Sequence, residues 1–81
     1  MVEINLWSGL RRFADGKDRV EVEGKTVGEI LDDLVRIHPG LGPVIKAGVA
    51  VSVDGEILPN ARHAAVTEDS EVFLLQRLRG G

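Results

Sequence analysis

Residues Thr26 to His38 constrain this chain more than any other segment. Thr26-Val27-Gly28-Glu29 has the form of a capping box. The Thr26 hydroxyl can accept from the Glu29 amide, while the Glu29 carboxylate reaches back to the Thr26 amide. Behind it, Val27, Ile30, Leu31, Leu34 and Ile37 recur at the i, i+3, i+4, i+7 spacing of one buried helix face. Glu29, Asp32, Asp33 and Arg36 fall on the water side, and Pro39-Gly40 stops the helix near His38. A helix apolar on one side needs a second layer to cover that side.

The flanking sequence supplies one. Residues 2–7 alternate, with Val2, Ile4 and Leu6 on one face and Glu3, Asn5 and Trp7 on the other, which is a half-buried strand. Ser8-Gly9 breaks it, Leu10-Arg11-Arg12-Phe13 folds back as a short turn with two apolar anchors, and Asp15-Gly16 is a turn signal. Residues 19–23 alternate again and form a hairpin partner for the first strand. After the helix, residues 41–47 read as a loop or short helical turn around Pro43. Residues 49–53 form a third strand, Asp54-Gly55 marks a tight hairpin, and Glu56-Ile57-Leu58 returns briefly before Pro59-Asn60. Residues 60–70 carry no clear period. Residues 71–75 are a last strand, apolar on both faces, as in the middle of a sheet. The prediction is a two-layer α+β domain with the last strand parallel to the first and the crossover right-handed.

Eighty-one residues allow one small core and no extensive enclosed cavity. The absence of cysteine excludes a disulfide framework, a thiolate metal site and a cysteine nucleophile. Two histidines, His38 and His63, show no metal-ligand spacing and no neighbouring nucleophile, so both are expected to be structural or solvated. The net charge is −3, and with Arg77 and Arg79 set aside residues 1–76 carry −5. An acidic body argues against nucleic acid as partner and favours docking on a basic protein surface. No apolar run approaches membrane-spanning length and the start lacks the features of a signal peptide, which predicts no membrane contact and a cytoplasmic location.

The chain stops at Arg77-Leu78-Arg79-Gly80-Gly81. Two glycines make a slim, flexible end without Cβ atoms, able to pass down a narrow channel and place its carboxylate beside a nucleotide phosphate. The expected division is a domain over residues 1–76 and a flexible tail over 77–81.

Taken together, these features resemble the ubiquitin-like β-grasp proteins and, among them, the bacterial sulfur carriers of the MoaD/ThiS type: the small subunit of molybdopterin synthase and the thiamine sulfur carrier. The resemblance rests on Leu6 through Leu10-Arg11, Gly24-Lys25-Thr26-Val27-Gly28-Glu29 opening the helix, and His38-Pro39-Gly40-Leu41 closing it. Val51-Ser52-Val53-Asp54-Gly55-Glu56 and Glu68-Asp69-Ser70-Glu71-Val72 add to it, with Ser70 replacing the family's usual glycine. The tail departs from the carriers' common Pro-Val-x-Gly-Gly type and is identical to the last five residues of ubiquitin.

The resemblance implies a carrier rather than an enzyme, monomeric when free and binding no cofactor itself. A ubiquitin-activating-type adenylyltransferase, using its own ATP and Mg²⁺, would adenylate the Gly81 carboxylate. A sulfur donor would convert the adenylate to a thiocarboxylate, and a sulfur-accepting synthase subunit would take the sulfur for molybdopterin, thiamine or another small product. Gly80 and Gly81 would form the activated end. Arg77 and Arg79 would either pair with carboxylates along the partner's channel or simply solubilise the tail, and Leu78 would sit in an apolar groove. By strand alternation Phe73 and Leu75 lie on the face opposite Val72 and Leu74; with the helix covering the latter pair, they form an exposed docking patch with Trp7 nearby. Two other classes fit the same residues: a ubiquitin-like modifier joined through Gly81 to target lysines, and a non-conjugating β-grasp interaction module.

Overall fold

The computed structural model describes residues 1–57 and 62–75. Strands β1 (Val2–Asn5), β2 (Arg19–Val22), β3 (Ala50–Val53), β4 (Glu56–Ile57) and β5 (Glu71–Leu75) form one sheet in the order β2-β1-β5-β3-β4. Helix α1 (Val27–Ile37) crosses one face, and a second helix, α2 (Gly42–Ala47), precedes β3. β5 is central, parallel to β1 through Ile4↔Val72 and antiparallel to β3 through Val51↔Leu74. The element order predicts a mixed sheet of four to five strands packed on one main helix, and five strands are present. Leu58, the Pro59-Asn60 stop, Ala61 and residues 77–81 lie outside the described residues, and so does the division expected after residue 76.

Turn chemistry closes both hairpins. Asp54 (φ 52°) and Gly55 (φ 85°) give the two positive φ angles of a tight two-residue turn matched to strand twist. The Asp54 carboxylate accepts from the Glu71 amide at 2.8 Å and the Asp54 amide donates to the Glu71 carbonyl at 2.9 Å, so the turn is fastened to the central strand. Between β1 and β2 the chain makes a 3₁₀ turn at Ser8–Phe13 that buries Leu10 and half-buries Phe13, the two anchors expected there. Gly24 joins β2 to α1 where a Cβ atom would lie 2.8 Å from the Glu29 Cβ. Only glycine permits that approach.

The core lies between α1 and the sheet. Ile4, Val22, Ile30, Leu34, Val72 and Leu74 are essentially inaccessible, each such side chain stabilising the fold by about 1.5–3 kcal/mol relative to exposure. Two details of the helix differ from expectation. The Thr26 hydroxyl accepts from the Glu29 amide at 3.2 Å as predicted, but the Glu29 carboxylate takes the Lys25 amide, at 2.9 Å, in place of the Thr26 amide. Thr26 is extended and bridged to Ala65, so the amide one residue earlier meets the carboxylate. Ile37, expected on the buried face, is 38% exposed in the last turn of the helix, while Leu41, in the 3₁₀ turn at Pro39–Leu41 that follows, is fully buried.

Residues 62–66, without a readable period, cap the start of α1. The Val27 amide donates to the Ala64 carbonyl and the Gly28 amide to the Arg62 carbonyl, both at 2.9 Å, while the Val66 amide donates to the Lys25 carbonyl. The first-turn amides of a helix have no partner within it, so a segment distant in sequence supplies one here. Arg62 also reaches the Asp32 carboxylate at 3.1 Å. Just past β2, the Asp33 carboxylate accepts from the Glu23 amide at 2.8 Å and from the Arg36 guanidinium at 2.7 Å. That contact blunts one end of the free β2 edge.

Replacing Thr26 by Ala removes the cap and is expected to lower unfolding free energy by about 1 kcal/mol. Urea titration would show this as a lower midpoint with an unchanged slope. Arg36 and the Glu23 amide hold the Asp33 carboxyl below its ordinary pKa, so the stability it contributes is present above that ordinary value and lost as pH falls through the folded one. Asp33→Asn keeps an acceptor and removes the charge. It is expected to destabilise the domain at pH 7, with the difference from the parent shrinking as pH falls below the ordinary carboxyl value, measured by denaturation across that range.

Candidate functional site

The face of the sheet away from α1 has no covering layer among the described residues. Register sorts its side chains into rows that run across the strands. Glu21, Glu3 and Glu71 stand side by side in the first row. Arg19, Asn5, Phe73, Ser52 and Ile57 form the second, and Leu75 beside Ala50 begins the third. The surface therefore changes from acidic to apolar in the direction in which β5 runs.

The apolar portion centres on β5. Phe73 is 37% exposed and Ile57, on the edge strand, 59%, with the nearly buried Ser52 between them on β3. Leu75 is half-buried at the end of β5. Trp7 follows β1 at the same end of the sheet, because β1 and β5 are parallel, and it packs partly against the core. An aromatic flanked by aliphatic groups on an open sheet has the composition of a docking patch, where one buried aromatic commonly dominates the binding energy.

Charge surrounds the patch unevenly. Three neighbouring carboxylates, Glu3, Glu21 and Glu71, repel one another across the strands, and among the described residues Arg19, 3.7 Å from Glu3, relieves them. The Met1 ammonium meets Glu68 at 2.9 Å at that end of the sheet. This hydrogen-bonded pair raises the ammonium pKa and lowers that of the carboxyl. The pair is exposed and adds little to stability.

Of the residues singled out in the sequence, Phe73 and Leu75 share this face, and Trp7 follows β1 at the same end of the sheet. Gly80, Gly81, Arg77, Leu78 and Arg79 lie outside the described residues. Ile57 and Ser52 were not anticipated. The signal for them was the two-residue Asp54-Gly55 turn, whose register sets Ile57 opposite Ser52 and both beside Phe73. His38 is buried, with its Nδ1 4.0 Å from the Asp15 carboxylate, and His63 is exposed in a turn. Among the described residues no three acidic or histidine side chains converge on a point that would hold a metal ion, and no helix is long and apolar enough to cross a membrane. What this surface can do is bind.

A model of the ThiS family matches residues 4–81. Among solved structures, the chain is similar to the BexX/CysO complex of Amycolatopsis orientalis, with 28% identity, all of both chains covered and a TM-score of 0.81. It is also similar to SAMP1 of Haloferax volcanii, with 31% identity over 99% of this chain and 98% of that one, at a TM-score of 0.75. CysO of Mycobacterium tuberculosis, 19% identical over 96% of this chain and all of its own, shares the fold at a TM-score of 0.85. A comparison with curated protein sequences finds no match. Matched over nearly its whole length, and with the β-grasp sheet of these neighbours, the chain belongs to the ThiS family of small ubiquitin-like sulfur-carrier proteins.

Proposed function

We propose that this protein is a carrier and co-substrate, not an enzyme, and that its working group is the Gly81 carboxylate. The observation that carries the reading is the family match, which runs through Gly80 and Gly81 on a domain whose last strand ends beside an open apolar patch. In this scheme residues 1–76 form the domain and 77–81 a flexible tail. The Gly81 carboxylate attacks the α-phosphorus of ATP on a ubiquitin-activating-type adenylyltransferase and releases pyrophosphate. The carboxylate is a poor electrophile, and joining it to AMP installs a good leaving group. Sulfide from a donor then attacks the acyl carbon, AMP departs, and a thiocarboxylate remains. A sulfur-accepting synthase subunit takes that sulfur for a cofactor or metabolite of the molybdopterin, thiamine or amino-acid type. ATP and Mg²⁺ belong to the partner, and the cycle takes place in the cytoplasm.

Phe73, Leu75, Arg77, Leu78 and Arg79 serve as the partner-binding residues. The sheet face docks first and the tail follows into the channel. A neighbour solved in complex with BexX supports the use of such a face by a partner protein. A second reading is supported by the likeness to SAMP1 and by a tail identical to that of ubiquitin. In it, a lysine amine of a target protein attacks the same adenylated or thioester-activated carbon and forms an isopeptide bond.

Incubation with an activating enzyme, ATP and sulfide is expected to raise the protein's mass by the difference between one sulfur and one oxygen. Deleting Gly81 should abolish the gain. If the intact chain gains nothing and a chain lacking Gly80 and Gly81 retains its biological activity, the tail is idle and the interaction-module reading stands. Branched Gly-Gly remnants on target lysines would move weight to the modifier reading.

Phe73→Glu places a charge in the patch. Phe73 is 37% exposed on the central strand, so the fold should lose about 1 kcal/mol, while KM for activation rises by about 30-fold. Thermal unfolding and steady-state adenylation measured on one preparation separate these effects.

A further inference from the structure

The register of the sheet places the chain's charges at two opposite ends. β1 and β5 are parallel, so the chain leaves both at the same end; β3, antiparallel to β5 with Ala50 opposite Leu75, starts there, and β2 starts there with Arg19 opposite Asn5. The segments that collect at this end carry Arg11 and Arg12 in the 3₁₀ turn, Lys17 and Arg19 leading into β2, and Lys46 in the last turn of α2 before β3. Among the described residues, Asp15, Asp18 and Glu3 oppose these five cations, with Asp18 engaged by Arg11 at 3.5 Å and Arg19 at 3.9 Å and Glu3 by Arg19 at 3.7 Å. Arg12 lies over the Phe13 ring at 4.9 Å. Among the described residues, Arg12, Lys17 and Lys46 pair with no carboxylate. The other end holds Glu21 and Glu23, the second hairpin's Asp54 and Glu56, and Glu68 and Asp69 before β5.

We infer that the end from which the chain continues past Leu75 is a cationic collar, and that it docks on a carboxylate-lined channel mouth of the activating enzyme. The net charge of −3 predicts the opposite, a basic docking surface, and distance decides between the two. β5 alone spans about 13 Å, whereas the screening length at physiological salt is about 8 Å. A partner touching the collar therefore feels the five cations and little of the carboxylates behind them. The far end, repelled by the same surface, turns the molecule so that residues 76–81 lead. Such a field acts on association rate and orientation more than on final affinity.

The inference rests on the carrier reading, and the test separates their failures. The quantity measured is kcat/KM for adenylation of Gly81 by the activating enzyme. Raising salt from 50 to 500 mM is expected to lower it by about 10-fold, as for electrostatically steered pairs. The neutral triple variant Arg11→Gln, Arg12→Gln, Lys46→Gln should lose about 10-fold at low salt, and the reversal of the same three to Glu about 100-fold. Circular dichroism confirms that each is folded. Reversing Glu23, Glu56 and Asp69 to Lys should leave the value within about 3-fold. Equal losses from the two ends, or none from the collar, would overturn the inference while leaving the carrier reading intact. If no activating enzyme accepts the intact chain, that reading falls and the collar is tested alone with a poly-glutamate peptide followed by NMR. Shifts confined to residues 11–19 and 46 support the collar; shifts spread over both ends, or none, overturn it.

Discussion

The parallel pairing of β1 with β5 holds this domain together and decides what it presents. It joins residues nearly the whole chain apart, with Ile4 beside Val72, and is reinforced by the Asn5 side-chain amide donating to the Val72 carbonyl at 2.9 Å. A parallel pair cannot be made by a tight turn, so everything between the two strands becomes crossover. α1 lies in that crossover and covers one face of the sheet. The same pairing brings Trp7 and the end of β5 to one end of the sheet, and it leaves Phe73 on the face that α1 does not reach.

The core is filled by the helix stripe and the inner rows of β1, β2, β3 and β5. Outside it, the described residues present an open sheet face with an apolar half. The acidic row of Glu3, Glu21 and Glu71 would be an unprofitable arrangement for stability alone, as like charges across neighbouring strands repel. It makes physical sense as one pole of a molecule that must meet its partner in one orientation.

Signals confined to a few neighbouring residues were legible in the sequence. The Thr26 cap, the Asp15-Gly16 and Asp54-Gly55 turns and the alternation of β1, β2 and β5 depend on local backbone preferences, and each stands where it was expected. Contacts that need a distant partner were not legible. Residues 62–66 had no period because their backbone groups are satisfied by the start of α1, about 35 positions away in the chain, and not by a regular element of their own. Ile37 and Leu41 exchanged places for a similar reason: helical spacing continues past the point where the sheet ends, and the next turn fills the remaining core. Ile57 joined the patch through cross-strand register.

The amino-acid order by itself determined the element types, the buried stripe of α1 and the two faces of β5. All of these are short-range properties, set by backbone sterics and by which side chains avoid water. Only the tertiary structure decided which residues became neighbours across the open face, that the arginines of the first turn gather with Lys46 where β5 ends, and that the carboxylates collect at the other end. Charge has no periodicity for a strand or helix to display, so its placement in space emerges only when sheet order and strand direction are known.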